Sequence, residues 1–232
     1  MCGRFALHSD PHVISLQFGL TDVCASGARY NVAPGTPILA VRADPSRARK
    51  GELLRWGLIP SWAKDASIGY RLINARAEHI AQKPAFRSAL RRRRCIIPAD
   101  GFYEWQATGG RKQPYYVRPC EQALFGFAGL YEYWKSGVAS IGSCTVITTE
   151  ANALMRPLHE RMPAILEPAD YAHWLDPGHP DLEALIGMLR PAAAERMLAY
   201  PVAARVNNVR NDDPGLLAAM AQIPDAGMGT LL

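Results

Sequence analysis

The sequence contains no C-x-x-C pair, and its five cysteines, at 2, 24, 95, 120 and 144, are odd in number and widely spaced. A zinc ribbon and a thioredoxin-like redox motif therefore have no support. No run of about 18 apolar residues occurs, which argues against a membrane-spanning helix. The opening Met-Cys-Gly-Arg-Phe lacks the charged-then-apolar layout of a secretory signal, so the expectation is a reduced, cytoplasmic chain with buried, inert thiols at 24, 95, 120 and 144. There is no low-complexity linker and no internal repeat. What remains is a chain of 232 residues, 49% hydrophobic and 20% charged, long enough to bury a core without staples.

Charge is unevenly placed. Residues 1–118 carry 19 basic and 8 acidic side chains, a surplus of 11, whereas 119–232 carry 7 and 13, a deficit of 6. Such asymmetry points to a polyanion-binding surface built from the first half, with a merely solvated basic face as the alternative. Aromatics interleave the basic half at Arg55-Trp56, Trp62-Ala63-Lys64 and Tyr70-Arg71, a mixture that grips single strands by stacking bases while cations follow phosphates. Trp56, preceded by a strand, reads as core; Trp62 reads as exposed. The run Arg91-Arg92-Arg93-Arg94 reads as a helix end leading into a strand.

Asp10 followed by Pro11 is a helix start, and Gly19 closes that helix after Phe18. A polar loop is expected over 31–36 and a second helix over 84–92. Strands are expected at 37–42, 51–57, 95–97, 102–106, 114–118, 124–131, 143–148 and 197–203, with helices near 150–155, 168–175 and 180–189. The pattern defines an α+β, β-rich single domain with a curved, barrel-like antiparallel sheet and flanking helices.

Cys2 is the first candidate for chemistry. Loss of Met1 would leave a cysteine with a free α-amine (reference pKa ~7.7–8.0) beside a thiol (~8.5), both partly nucleophilic near neutrality. The thiol could attack an acyl group with the amine as base. Alternatively, the amine could form an imine with an aldehyde, and the thiol could close on the same carbon to make a thiazolidine. His159 lies in a polar His-Glu-Arg triplet between two prolines, a fixed loop. His8 and His12 have metal-ligand spacing, but the helix starts at Pro11 between them, and no metal is expected. In Phe102-Tyr103-Glu104-Trp105, period-2 alternation puts Glu104 on the face of Phe102; it is either an acid–base carboxyl of raised pKa or an exposed strand-edge glutamate. Asn74 and Arg76, two residues apart, suit a sugar and a phosphate, unless Asn74 merely caps a helix from Ala75.

Taken in order, Met1-Cys2-Gly3-Arg4-Phe5, Arg29-Tyr30-Asn31-Val32-Ala33-Pro34-Gly35-Thr36, Trp56-Gly57-Leu58-Ile59-Pro60-Ser61-Trp62, Leu72-Ile73-Asn74-Ala75-Arg76-Ala77-Glu78, Pro98-Ala99-Asp100-Gly101-Phe102-Tyr103-Glu104-Trp105 and Leu158-His159-Glu160-Arg161-Met162-Pro163 resemble the SOS-response-associated peptidase family, also known as abasic-site processing proteins. Val206-Asn207 resembles its closing motif. The likeness covers about 1–210, leaving 211–232 as a tail expected to be loosely held.

The resemblance implies a cofactor-free protein of the DNA damage and SOS response that binds single-stranded DNA containing abasic sites. It implies a covalent thiazolidine linkage through Cys2 after removal of Met1, in a monomer that is cytoplasmic or, in a bacterium, nucleoid-associated. Carried over residue by residue, Cys2, Asn74, Glu104 and His159 form the catalytic set. Arg4, Arg76 and Arg161 hold phosphates, Asn31 joins the DNA-contacting set, and Pro34 and Trp62 stack or wedge between bases. The competing readings are an N-terminal-nucleophile peptidase or amidase (a hydrolase, including self-removal of Met1), an abasic-site lyase, and a non-covalent single-strand binder.

Overall fold

The computed structural model describes residues 2–22, 27–121, 124–178 and 181–220. Local chemistry sets the first helix as expected. α1 (Pro11–Phe18) starts where the Asp10 carboxylate accepts the His12 N–H at 2.8 Å, and it ends at Gly19, whose left-handed φ of 64° suits glycine. α2 (Arg87–Arg92) is shorter than expected, because residues 84–86 form a turn ahead of it. α3 (Tyr171–Leu175) follows a 3-10 turn, and α4 (Leu182–Gly187) is capped by Asp181, which accepts from Glu183 N–H and Ala184 N–H.

The strands are β1 (Arg4–Leu7), β2 (Arg29–Val32), β3 (Pro37–Ala43), β4 (Arg49–Trp56), β5 (Asn74–Arg76), β6 (Arg94–Ala99), β7 (Gly101–Thr108), β8 (Arg111–Pro119), β9 (Phe125–Ser136), β10 (Ala139–Glu150), β11 (Arg161–Pro163) and β12 (Met197–Pro201). One sheet runs β12-β8-β7-β1-β2. In the other, β10, β4, β3, β6 and β9 close into a five-stranded barrel, because β9 pairs back onto β10. Closure leaves these five strands no free edge. β6 is buried along its whole length, as is the first half of β9, whereas the outer half of β9 alternates as a half-solvated strand does.

Pairing is antiparallel except along β10, where β4 and β5 run parallel to it. β4 pairs with Ser143 and Cys144, and β5 resumes the same edge at Val146–Thr148. The chain thus leaves the sheet after Trp56, makes an excursion over 57–73, and returns to the same edge in the same direction. Gly57 and Gly69 close the base of that excursion. Their backbones cross so tightly that a Cβ at Gly57 would lie 2.6 Å from the Gly69 carbonyl oxygen.

Four expectations need correction. The polar loop at 31–36 begins as strand β2, because the Arg29 and Asn31 side chains find partners inside the protein. Asn74 caps no helix: it opens β5, and a 3-10 turn starts only at Ala77. No helix forms at 150–155. Asn152 initiates a turn by accepting the Met155 N–H, and Pro157 supplies no amide to continue it. Cys95 and Cys144 are buried, but Cys120 is exposed because it lies just beyond the last β8–β12 pair, Pro119 with Met197; Cys24 lies outside the described residues.

The main core lies between the two sheets and within the barrel, around Phe5, Trp56, Phe102 and Phe127. A second cluster of Ala6, Tyr103, Tyr116, Val202, Val206 and Leu216 covers the other face of the open sheet. Residues 211–220, assigned to the tail by sequence, are tied to β2 through Asp212, which accepts from the Arg29 side chain and from the Tyr30 and Asn31 N–H groups.

Candidate active site

Cys2 lies two residues before the β1–β7 pairing, in which Arg4 faces Tyr103 and Phe5 faces Phe102. Glu104 lies close enough for its charge to act on the Cys2 thiol. As alternation requires, Tyr103 joins the outer cluster while Phe102 joins the main core. Glu104 is only 4% exposed and Cys2 is fully buried. The strand-edge reading of Glu104 therefore fails.

β5 and β11 both lie along β10, so the Asn74 segment and the His159–Arg161 segment reach the same end of the barrel. Asn74 Nδ2 donates to the Cys2 carbonyl oxygen at 2.9 Å. Because a carbonyl needs a donor, this bond also orients the amide, turning Oδ1 to a buried position where no donor among the described residues meets it. Arg161 forms a clamp: its guanidinium grips the Glu78 carboxylate through two 2.9 Å bonds and donates to the Thr148 carbonyl at 2.6 Å. The turn at 152–158 delivers His159. Its Nδ1 accepts the Arg161 N–H at 2.9 Å, so the neutral ring carries its proton on Nε2.

Burial pushes the Glu104 carboxyl above its ordinary pKa, while the nearby His159 and the Trp105 N–H pull it part of the way back. The Cys2 thiol is also pushed up, first by burial and then by the charge of Glu104. Asn74 and Glu104 thus meet Cys2 from two separate segments, and His159 meets Glu104 from a third. Among the described residues no His/Cys/Asp/Glu group is arranged to hold a metal ion, and no helix is long and apolar enough to cross a membrane.

The proposed DNA contacts divide into two groups. Arg4 donates to Asn31 Oδ1 and to the Val206 and Asn207 carbonyls, and Asn31 is 1% exposed with its Nδ2 donating to three carbonyls. Arg161 is committed to its clamp. In contrast, Trp62 is 59% exposed at the tip of the 57–73 excursion, Arg76 is exposed, and Pro34 is half-buried in the turn before β3. A pocket of about 630 Å³ opens beside Asn74, lined by Trp62, Leu72, Arg76, His79, Lys83 and Phe86. Sequence reasoning missed Glu78, His79 and Lys83. The spacing of basic residues at 79, 83, 87 and 91 was the available signal. Tyr70, 66% exposed, stacks under the Arg55 guanidinium at 4.9 Å and extends the aromatic and cationic surface.

A barrel-and-sheet protein with a buried second-residue cysteine, converging amide, carboxyl and imidazole groups, and an adjacent cationic pocket is a recognisable class. The chain belongs to the SOS response associated peptidase (SRAP) family, whose model matches residues 1–209. It is 45% identical over 222 residues to the abasic site processing protein YoqW of Bacillus subtilis, covering 94% of this chain and 99% of that one. It is 35% identical to the abasic site processing protein HMCES of Xenopus tropicalis over 72% of this chain and 56% of the relative. Among solved structures, a Bacteroides thetaiotaomicron protein superposes with a TM-score of 0.86 at 25% identity, covering 95% of this chain and all of that one. A phage-related protein of Bordetella bronchiseptica gives 0.71 at 30% identity, covering 87% and 94%.

Proposed function

We propose that this protein processes abasic sites in single-stranded DNA by forming a thiazolidine through Cys2 after Met1 is removed. The observation that carries the reading is that Asn74 bonds the Cys2 carbonyl while Glu104, itself beside His159, acts on the Cys2 thiol. The names of the relatives support abasic-site processing as the substrate class.

An abasic deoxyribose opens to an aldehyde. The Cys2 amine adds to that carbon, the carbinolamine loses water to give an imine, and the thiol adds to the same carbon. The ring closes with one water released and no redox change. Each addition moves a proton near neutral pH. An ionised Glu104 would hold the amine as ammonium, whereas a carboxyl of raised pKa leaves the amine neutral and has a proton for the departing hydroxyl. His159, with its proton on Nε2, serves the sugar ring oxygen as the ring opens. Asn74 Oδ1 is an acceptor awaiting a donor, which matches a sugar hydroxyl rather than a phosphate, since phosphate oxygens only accept. Trp62, Pro34 and Arg76 supply stacking and phosphate contacts on the open side.

The test is a denaturing gel of protein with a single strand carrying one abasic site, beside an intact strand, with the N-terminal mass checked. A heat-resistant shifted band is expected with the abasic strand alone, and Cys2→Ala should abolish it while leaving binding intact. An unchanged band in Cys2→Ala overturns the assignment. Turnover of a peptide or amide without DNA would favour the hydrolase reading, and strand cleavage without an adduct would favour the lyase.

A further inference from the structure

His79, Lys83, Arg87 and Arg91 recur at every fourth residue. The backbone keeps them in line: Lys83 N–H donates to the His79 carbonyl at 3.0 Å, Arg87 N–H donates to the Lys83 carbonyl at 3.0 Å, and Arg91 follows within α2. Single turns thus link His79 to Lys83 and Lys83 to Arg87 ahead of α2, which starts only at Arg87. Phe86, Ala89 and Leu90 bury the inner face of this segment, and the four basic side chains are exposed along one flank. Within α2, Arg87 and Arg91 are about 6 Å apart along the axis, at 1.5 Å per residue over four residues.

Lys83, Arg87 and Arg91 enter no ion pair among the described residues. The other half of the arginine run behaves differently. Arg93 bonds Glu132 and Ser88, and the buried Arg94 donates to the carbonyls of Leu90, Arg91, Trp174 and Asp176. Arg93 and Arg94 are therefore engaged within the fold, while the cations on this flank face solvent. Like charges one turn apart repel, so the row weakens the helix that bears it, and a polyanion relieves that repulsion. The row begins at the pocket that also holds Asn74, Arg76 and Trp62.

We propose that the Lys83, Arg87 and Arg91 flank is a phosphate track that carries one arm of the single strand away from the lesion pocket. The proposal rests on the abasic single-strand reading above and adds a direction and a residue set to it. One cation per helical turn is comparable with the step between successive phosphates of an extended strand, which a groove of this kind follows without reading sequence. The protein is then asymmetric about the lesion, with one arm on the track and the other arm off it.

The experiment uses the full chain and two labelled oligonucleotides, each carrying a tetrahydrofuran abasic analogue, one with about ten nucleotides only on the 5′ side and the other only on the 3′ side. The analogue has no aldehyde, so binding is read without adduct formation. Arg87→Gln/Arg91→Gln should weaken binding of one arm and spare the other. Two lost phosphate contacts at about 0.7 each in salt slope mean that, from 50 to 200 mM salt, wild-type affinity for the track-side arm falls about sevenfold more than the variant's. Arg111→Gln/Lys112→Gln, at the exposed β7–β8 turn, should change neither arm.

Equal affinities and slopes for wild type and the Arg87/Arg91 variant on both arms overturn the track. So does an equal loss in the Arg111/Lys112 variant, which would mark bulk charge, or a loss seen only when the arm is duplex. The covalent reading is scored separately on a true abasic strand. No adduct with an arm-specific loss leaves the track standing and removes the Cys2 assignment; an adduct without that loss does the reverse.

Discussion

Two asparagines that both belong to family-like motifs should respond in opposite ways to truncation. Asn31 shares its two amide hydrogens among the carbonyls of Val206, Asn208 and Asn211 at 2.8–3.2 Å, and its Oδ1 accepts from the Arg4 guanidinium at 2.8 Å. Two neutral bonds at about 1 kcal/mol each and one charge-assisted bond at ~1.5–3 sum to about 4 kcal/mol lost in Asn31→Ala. For a chain of this size that is a fall in Tm of about 10 °C. Among the described residues the Asn74 side chain bonds the Cys2 carbonyl at 2.9 Å and its buried Oδ1 meets no donor. Asn74→Ala loses about 1 kcal/mol and removes a burial penalty of ~1–3, so stability should stay level or rise by up to about 2 kcal/mol. Adduct formation at saturating protein should nevertheless slow about 10- to 100-fold, because Asn74 positions the reacting groups. Thermal unfolding by circular dichroism and single-turnover gel kinetics give the two readouts. The reasoning fails if Asn74→Ala unfolds as early as Asn31→Ala, or if Asn31→Ala leaves Tm unchanged.

Three further perturbations separate roles. Burial holds the Glu104 pKa above its unfolded value, so the native state binds the proton more tightly; that contribution to stability is full below the ordinary carboxylate range and is lost as pH rises through the raised value. Glu104→Gln escapes that loss, so its Tm relative to wild type should improve from pH 4 to pH 8 while adduct formation slows, and a relative Tm that worsens toward pH 8 would contradict the sign. Trp62→Ala should leave stability within about 0.5 kcal/mol of wild type, since the ring is 59% exposed, yet weaken single-strand binding by ~1–3 kcal/mol; an unchanged Kd removes Trp62 from the interface. Glu78→Gln breaks the bidentate grip on Arg161, whose side chain is 11% exposed against 43% for Glu78. It should cost about 1 kcal/mol and distort the pH profile of adduct formation, because the Arg161 N–H sets the His159 tautomer; a uniform rate change with the profile intact argues for a structural role alone.

Motif chemistry and alternation were legible without coordinates. Asp10-Pro11 and Gly19 bracket α1 because capping is local, and the period of a strand put Glu104 on the face of Phe102, leaving its burial for the fold to decide. The helix expected at 150–155 failed because Asn152 and Pro157 make a single turn, whose apolar residues are buried by their surroundings rather than by a helical face. The loop expected at 31–36 failed because Asn31 and Arg29 look solvent-seeking in a string. Only Asp212 and the 206–211 carbonyls, some 175–183 positions away, satisfy them once they leave water.

By itself, the sequence determined the β-rich class, the candidate set Cys2, Asn74, Glu104 and His159, and the basic character of the first half, since each depends on residue type and short spacing. Tertiary structure alone decided which cations remain outward. Arg4, Arg94 and Arg161 are committed to carbonyls and carboxylates, while Arg76, Lys83, Arg87 and Arg91 face solvent. It also decided that β5 and β11 meet at one end of β10. A charge in a sequence has no partner until the fold supplies one, and segments 85 residues apart, such as those of Asn74 and His159, reach one end of β10 only when the sheet assembles around it.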